Sequence, residues 1–377
     1  MIEAVYIHIP FCEQKCWYCD FLSFSSQLPE IKIRYVQALV EEIRLRAQQQ
    51  PLKPRSIFIG GGTPTSLPID LLEQVLIAVQ VNLVTDALQE YTMEMNPGTV
   101  SQETLFMLKK YGINRLSMGV QNDQNDVLAQ LGRIHTFEQV IQCYGWARQA
   151  GFDQINLDLI YGLPGQTLAQ WQTTLERVMT LAPDHLSLYQ LKIEENTVFD
   201  QWLKQGKIDE FDDELAYEMY QLAGKLLASQ GYAQYEISNY AKVGKESIHN
   251  QVYWRTANYL GMGLGAHSFV HPVRYFNTDD WDDYWLPLEC GVLPKQGTEF
   301  LTERQAMEEM VFMGLRMNSG VSLAAFAERY HQPLEQVFAE AIARCEQRGW
   351  LEIEDHWMRL TAQGRVLGNL VFIEFIE

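Results

Sequence analysis

Along the first half of the chain, short apolar runs alternate with longer stretches in which apolar residues return every three or four positions. Strand-like runs lie at 4–9, 56–59, 91–95, 115–118, 154–160 and 185–191. Helical periodicity fills the gaps at 31–48, 71–81, 102–111, 137–149 and 168–181. Pro29, Pro68 and Ser101 mark helix starts, and Gly112 and Gly151 mark stops. Strands separated by helices of this length build βαβ units and a parallel sheet. Six strands fall short of a complete eight-stranded barrel, so a partial barrel and an open doubly wound sheet both remain.

The pattern changes near residue 211. A long helical stretch at 214–229 leads into a strand-like run at 232–238, a polar and aromatic segment at 249–254 and a glycine-rich one at 260–267. Glycine, proline and lysine around 288–297 predict a linker. Beyond it come helices at 303–318, 323–330 and 334–347 and short strands at 349–353 and 357–360, the order of a small winged-helix-like module. The apolar end, 370–377, reads as a packed strand. The expected divisions are 1–210, 211–290 and 298–377, with no internal repeat.

Composition narrows the class. The chain has 377 residues, 47% hydrophobic and 20% charged, as soluble globular proteins do. Its net charge of −19 repels phosphate backbones, so nucleic acid is not an expected partner. No apolar run is long enough for a transmembrane segment, and the first residues lack the basic and apolar regions of a signal peptide. Six scattered cysteines make no disulfide scaffold. A cytoplasmic location follows as the expectation.

Three of those cysteines carry chemistry. Cys12, Cys16 and Cys19 are spaced C-x3-C-x2-C directly after the first strand run, with no fourth cysteine nearby. A fully ligated [4Fe–4S] cluster takes four thiolates. Three would leave one iron open to a small molecule. The same positions also fit one helix face, and His8 would then complete a structural zinc site, although Pro10 favours a loop entry. On the cysteines alone, both readings stay open.

In parallel β/α folds, reactive groups gather at the carboxyl ends of the strands. There lie the three cysteines, Gly60-Gly-Gly-Thr-Pro-Thr65, Glu94-Met-Asn-Pro97, Gly119-Val-Gln121 and Asp158. Bare glycine backbone lets N–H groups approach a carboxylate or amine, and the loop lacks the Gly-Lys-Ser/Thr of a nucleotide site. Singly, these residues read as a tight turn or surface polar groups. Asp158 differs, since an unpaired buried carboxylate is costly. Arg133 is either its partner or a donor to a ligand carboxylate.

Cys12-x3-Cys16-x2-Cys19, with Tyr18 ahead of the last cysteine and the triple-glycine loop after it, resembles the radical S-adenosylmethionine superfamily. Within it, Tyr6-Ile-His-Ile-Pro-Phe-Cys12, Leu116-Ser-Met-Gly-Val-Gln121 and Leu157-Asp-Leu-Ile-Tyr-Gly-Leu-Pro164 are similar to the branch holding oxygen-independent coproporphyrinogen oxidases and heme chaperones (HemW-type). The likeness spans nearly the whole chain. It implies an α/β fold, a partial (β/α)6 TIM-like barrel of the radical SAM type with a small, mainly helical, winged-helix-like C-terminal domain. It further implies that Cys12, Cys16 and Cys19 hold a [4Fe–4S] cluster whose open iron is chelated by S-adenosylmethionine. By position, Tyr6, Tyr18, Gly61, Gly62, Thr63, Glu94, Gln121, Arg133 and Asp158 match the family's S-adenosylmethionine contacts. Glycine backbone and Thr63 would meet the methionine end, Glu94 and Asp158 the ammonium or ribose hydroxyls, and Arg133 the carboxylate. In the superfamily's enzymes the reduced cluster cleaves the sulfonium to a 5′-deoxyadenosyl radical, chemistry that belongs to the cofactor.

Two departures separate this chain from the oxidases. Their pattern continues with a cysteine two residues after the third ligand, where this chain has Phe21, and they carry extra sequence ahead of the first strand. By contrast, His249-Asn-Gln-Val-Tyr-Trp254 resembles the H-N-x-x-Y-W motif of the heme chaperones. His249 would ligate heme iron, and Asn250, Tyr253 and Trp254 would complete the site, with the two rings against the porphyrin. A core histidine beside packed aromatics would look the same. His267 is a second candidate ligand. The expected function is heme binding and transfer to an acceptor protein, with no catalytic residue assigned and with an electron donor needed if S-adenosylmethionine is cleaved. The alternatives are a coproporphyrinogen III oxidase that decarboxylates propionates, and a zinc-stabilised binding module.

Overall fold

The computed structural model describes residues 1–25 and 27–376. Six parallel strands form its centre: β1 (Ala4–Ile9), β2 (Ser56–Gly61), β3 (Glu90–Met95), β4 (Arg115–Gln121), β5 (Ile155–Tyr161) and β6 (His185–Gln190), paired in that order. Helices α1 (Pro29–Gln49), α2 (Ile69–Asn82), α3 (Gln102–Lys110), α4 (Phe137–Gln149) and α5 (Leu168–Met179) return the chain between consecutive strands. Local chemistry fixes their starts. Pro29 opens α1, and capping boxes at Thr136/Gln139 and Thr167/Gln170 open α4 and α5.

Period-two alternation decides what faces where. In β4, Leu116, Met118 and Val120 are fully buried in the core, whereas Arg115, Ser117, Gly119 and Gln121 line an internal cavity. The same cavity is lined by Phe58, Glu94, Asp158 and Ser187 from β2, β3, β5 and β6, so the strands curve around a common interior. The structure thus has the partial barrel and not the flat doubly wound sheet.

Later segments extend the sheet on both sides. On one side, β7 (Ala233–Gln234) and β8 (Asn239–Ala241) form a hairpin beside β6. The single strand expected at 232–238 is therefore broken, and Glu236 instead bridges to Met317 of the C-terminal module. On the other side, β9 (Tyr259–Met262) lies parallel to β1, followed by antiparallel β10 (His267–Val270), β11 (Val273–Asn277) and β12 (Gln296–Phe300). The glycine-rich segment is thus partly strand. A Cβ on Gly261 would stand 2.1 Å from the His267 carbonyl oxygen, so close pairing of β9 with β10 requires glycine there. The linker expected at 288–297 runs back into this sheet through β12.

Helix α6 (Asp213–Ser229) precedes the first extension, and α7 (Ile248–Trp254) lies between the two. The C-terminal module packs α8 (Glu303–Gly314), α9 (Leu323–Tyr330) and α10 (Ala339–Gln347) around its own core. A three-stranded sheet of β13 (Val321–Ser322), β14 (Leu351–Glu354) and β15 (Trp357–Leu360) completes the winged-helix-like form. One expectation fails here: residues 368–373 form helix α11 (Gly368–Ile373), not a strand. Val371, Phe372 and Phe375 are buried on one helical face while Leu370 and Ile373 point outward, a spacing of three and four rather than two. Glu377, the last residue of that expected strand, lies outside the described residues.

Candidate functional site

The loop after β1 carries the three thiols to the carboxyl ends of the strands. Its entry, Phe11–Cys12, pairs with Phe24–Ser25, and Trp17 pins it by packing its ring 4.8 Å from Trp202 and donating its backbone N–H to the Leu131 carbonyl. Cys12, Cys16 and Cys19 are each half-buried and line one cavity of about 600 Å³. Cys12 Sγ stands 3.6 Å from Thr63 Oγ1, and Arg133 Nη1 donates to Cys16 Sγ at 3.4 Å. Burial pushes the Cys12 thiol up and the Cys19 thiol to about 11.

His8 does not join them. Its Nε2 donates to the Leu22 carbonyl at 2.9 Å, and its Nδ1 accepts from the Tyr6 hydroxyl at 2.9 Å, so no ring nitrogen is left for a metal. Among the described residues, no three His, Cys, Asp or Glu side chains close on a single ion. Three thiols around a cavity, with no fourth protein ligand, fit an iron–sulfur cluster with one open iron better than a tetrahedral zinc. Tyr6 stands behind the cavity wall with its hydroxyl committed to His8; Tyr18 lines the cavity itself.

Across from the thiols runs the glycine loop. Gly61, at φ +112°, donates its N–H to Glu94 Oε2 at 3.0 Å. A Cβ would meet the Glu94 carboxylate at Gly60, the His8 ring at Gly61 and the Phe11 carbonyl at Gly62, so each glycine is needed for close approach. Burial, then the charge of Asp158, raises the Glu94 carboxyl to about 7. Burial also raises Asp158, against hydrogen bonds from Asn156 Nδ2 (2.7 Å) and Ser117 Oγ (3.2 Å). Arg133 is therefore not the ion-pair partner of Asp158. It donates to the Gly119 carbonyl at 2.6 Å and to Cys16, at the thiol end. Gln121 and Thr63 also line the cavity.

Helix α7 closes the opposite end, under the first residues of the strands. Glu90, first in β3, accepts from Ser247 Oγ and from the Ile248 and His249 N–H groups, holding the helix start. His249 is 1% exposed. Its Nδ1 lies 3.1 Å from Ser56 Oγ and its Nε2 2.7 Å from the Tyr253 hydroxyl, and its ring packs 5.1 Å from Phe58. Burial, then the nearby Arg115 charge, lowers His249 to about 3. The motif residues diverge from there. Asn250 reaches the cavity, Tyr253 stays in the core, and Trp254 lies under the Arg316 guanidinium, 4.5 Å away, in the C-terminal module. As placed, neither His249 nitrogen is free to ligate iron. His267 is exposed on β10, stacked on Phe276.

Sequence reading missed Arg115, Ser117, Asn156 and Ser187, all on the cavity wall. The available signal was polar residues at every second position of otherwise apolar strands. No helix among the described residues is long and apolar enough to cross a membrane.

Known proteins resemble this chain over its full length. A model of the radical SAM superfamily matches residues 6–178, and one of the HemN C-terminal domain matches residues 301–367. The heme chaperone HemW of Bacillus subtilis is 37% identical, over 100% of this chain and 99% of its own length. That of Lactococcus lactis is 35% identical, over 99% and 97%. Among solved structures, coproporphyrinogen III oxidase (HemN) from Escherichia coli, described as a radical SAM enzyme, superposes with a TM-score of 0.86 at 25% identity. That match covers 99% of this chain and 90% of the other.

Proposed function

We propose that this chain, which belongs to the HemW-type family of the radical S-adenosylmethionine superfamily, binds heme and hands it to an acceptor protein. At its other end it would hold a [4Fe–4S] cluster on Cys12, Cys16 and Cys19. The observation that carries the cluster is the set of three thiols facing a glycine-walled cavity, with His8 fully engaged elsewhere. Bound there, the cluster and S-adenosylmethionine would supply one-electron chemistry. The protein's own part is placement. Glycine N–H groups and Thr63 would meet the methionine end, Arg133 the carboxylate, and Glu94 and Asp158 would accept from ammonium or hydroxyl groups.

Relatives over the full length are named heme chaperones, and that supports the carrier reading over decarboxylation. So does Phe21, 66% exposed, at the position where the oxidases carry a further cysteine. Heme would engage the α7 motif, with His249 exchanging the Tyr253 hydroxyl for iron. An acceptor protein, and an electron donor if S-adenosylmethionine is consumed, are the partners this reading requires. The compartment it calls for is a reducing one such as the cytoplasm. The test is an absorption titration of heme into anaerobically reconstituted protein, run beside an anaerobic assay with coproporphyrinogen III. Saturable heme binding without vinyl product is expected. Vinyl product with no heme binding would replace the carrier by the oxidase.

A further inference from the structure

The floor of the barrel holds a buried cation with nothing attached to it. Arg115, first residue of β4, is 3% exposed and lines the cavity, yet among the described residues no hydrogen bond or ion pair engages its guanidinium. Leaving a charge unpaired in such a place is strongly unfavourable unless a ligand or water meets it. Nearby groups do not serve. Ser117 and Asn156 donate to Asp158, and Asn156 Oδ1 is taken by His185 and Ser187. Glu94 and Asp158 feel Arg115 only through space.

One other side chain at the floor shares this state. Asn250, from α7, lines the same cavity, and its carboxamide has no partner among the described residues. A guanidinium fork and a carboxamide lining one cavity offer several donors, and neither cavity carboxylate, Glu94 or Asp158, hydrogen-bonds to them among the described residues. That arrangement recognises a carboxylate.

We propose that Arg115 and Asn250 form a carboxylate site at the barrel floor, and that under the heme reading, on which this rests, it takes a porphyrin propionate. The site lies at the α7 end of the cavity, away from the thiols. It would also give the motif's second residue a role that does not depend on His249. A guanidinium serving only as distant counter-charge to Glu94 and Asp158 would not distinguish a propionate from its ester.

The experiment titrates heme and heme dimethyl ester into the reconstituted full-length protein and into its Arg115→Gln, Arg115→Lys and Asn250→Ala variants, with cluster absorbance as the check of folding. Heme affinity should fall about tenfold or more in Arg115→Gln, recover partly in Arg115→Lys and fall less in Asn250→Ala. The ester should bind the wild type no better than heme binds Arg115→Gln. Equal binding of acid and ester by the wild type, unchanged in Arg115→Gln, overturns the carboxylate site and leaves the heme reading standing. No heme binding by the wild type overturns both. If Arg115→Gln fails to hold its cluster, the acid–ester comparison in the wild type and Asn250→Ala decides.

Discussion

The two ends of the barrel are built on opposite plans. At the carboxyl end, thiols, glycine backbone and carboxylates face an open cavity, with Glu94 raised to about 7 by burial and by Asp158. At the amino end, His249 is sealed by Ser56, Tyr253 and Phe58 and lowered to about 3. The first end is ready for a ligand as it stands. At the second, Asn250 and Arg115 face the cavity, while the proposed iron ligand must first give up its hydrogen bonds. A motif can name the residues that matter; only their surroundings show whether they can act without rearrangement.

The largest effect expected from this contrast is at the thiols. Replacing Cys12, Cys16 and Cys19 together by alanine should abolish cluster absorption after reconstitution, yet leave thermal unfolding close to that of the unreconstituted wild type. The loop they occupy lies outside the six central strands. Collapse of the fold in that variant would mean the cysteines serve structure instead.

His249→Ala is the matching change at the sealed end. It removes a buried ring and leaves Ser56 and Tyr253 short of a partner, a loss of roughly 2–4 kcal/mol in denaturant unfolding. His267→Ala, on the exposed face of β10, should stay within about 0.5 kcal/mol. Equal costs would remove the distinction between the two histidines.

The two ends should also respond to pH with opposite signs. Glu94 holds its proton in the folded state up to about 7, against an ordinary value of 4.5. Between those values the folded state binds more protons, so stability falls as pH rises through the window. His249 stays neutral down to about 3, against 6.5. There the unfolded state binds more protons, so stability is lost as pH falls below 6.5. In unfolding curves of the unreconstituted protein, Glu94→Gln should flatten the limb between 4.5 and 7 and His249→Gln the limb below 6.5. A limb left unchanged by its substitution would refute the corresponding environment.

Much of this was legible in the sequence. The six central strands follow from apolar runs that the helical periodicity separates, and the thiols and triple glycine stand where strand ends place them. What escaped depends on distant partners. Ser56, 193 residues from His249, occupies its Nδ1, and no local pattern announces that. Arg115 stood only as the first residue of a strand-like run, with no role assigned; curvature of the sheet turns it inward onto the cavity. β9 was hidden in a glycine-rich segment to which no element was assigned, and its close pairing with β10 depends on residues beyond it.

The most direct test of the central claim is the absorption spectrum of ferric heme titrated into reconstituted wild type and His249→Ala, each with a melting curve to confirm folding. Saturable binding by the wild type is expected, with a weaker or spectrally altered complex in the variant. A folded wild type with its cluster intact that takes up no heme would contradict it.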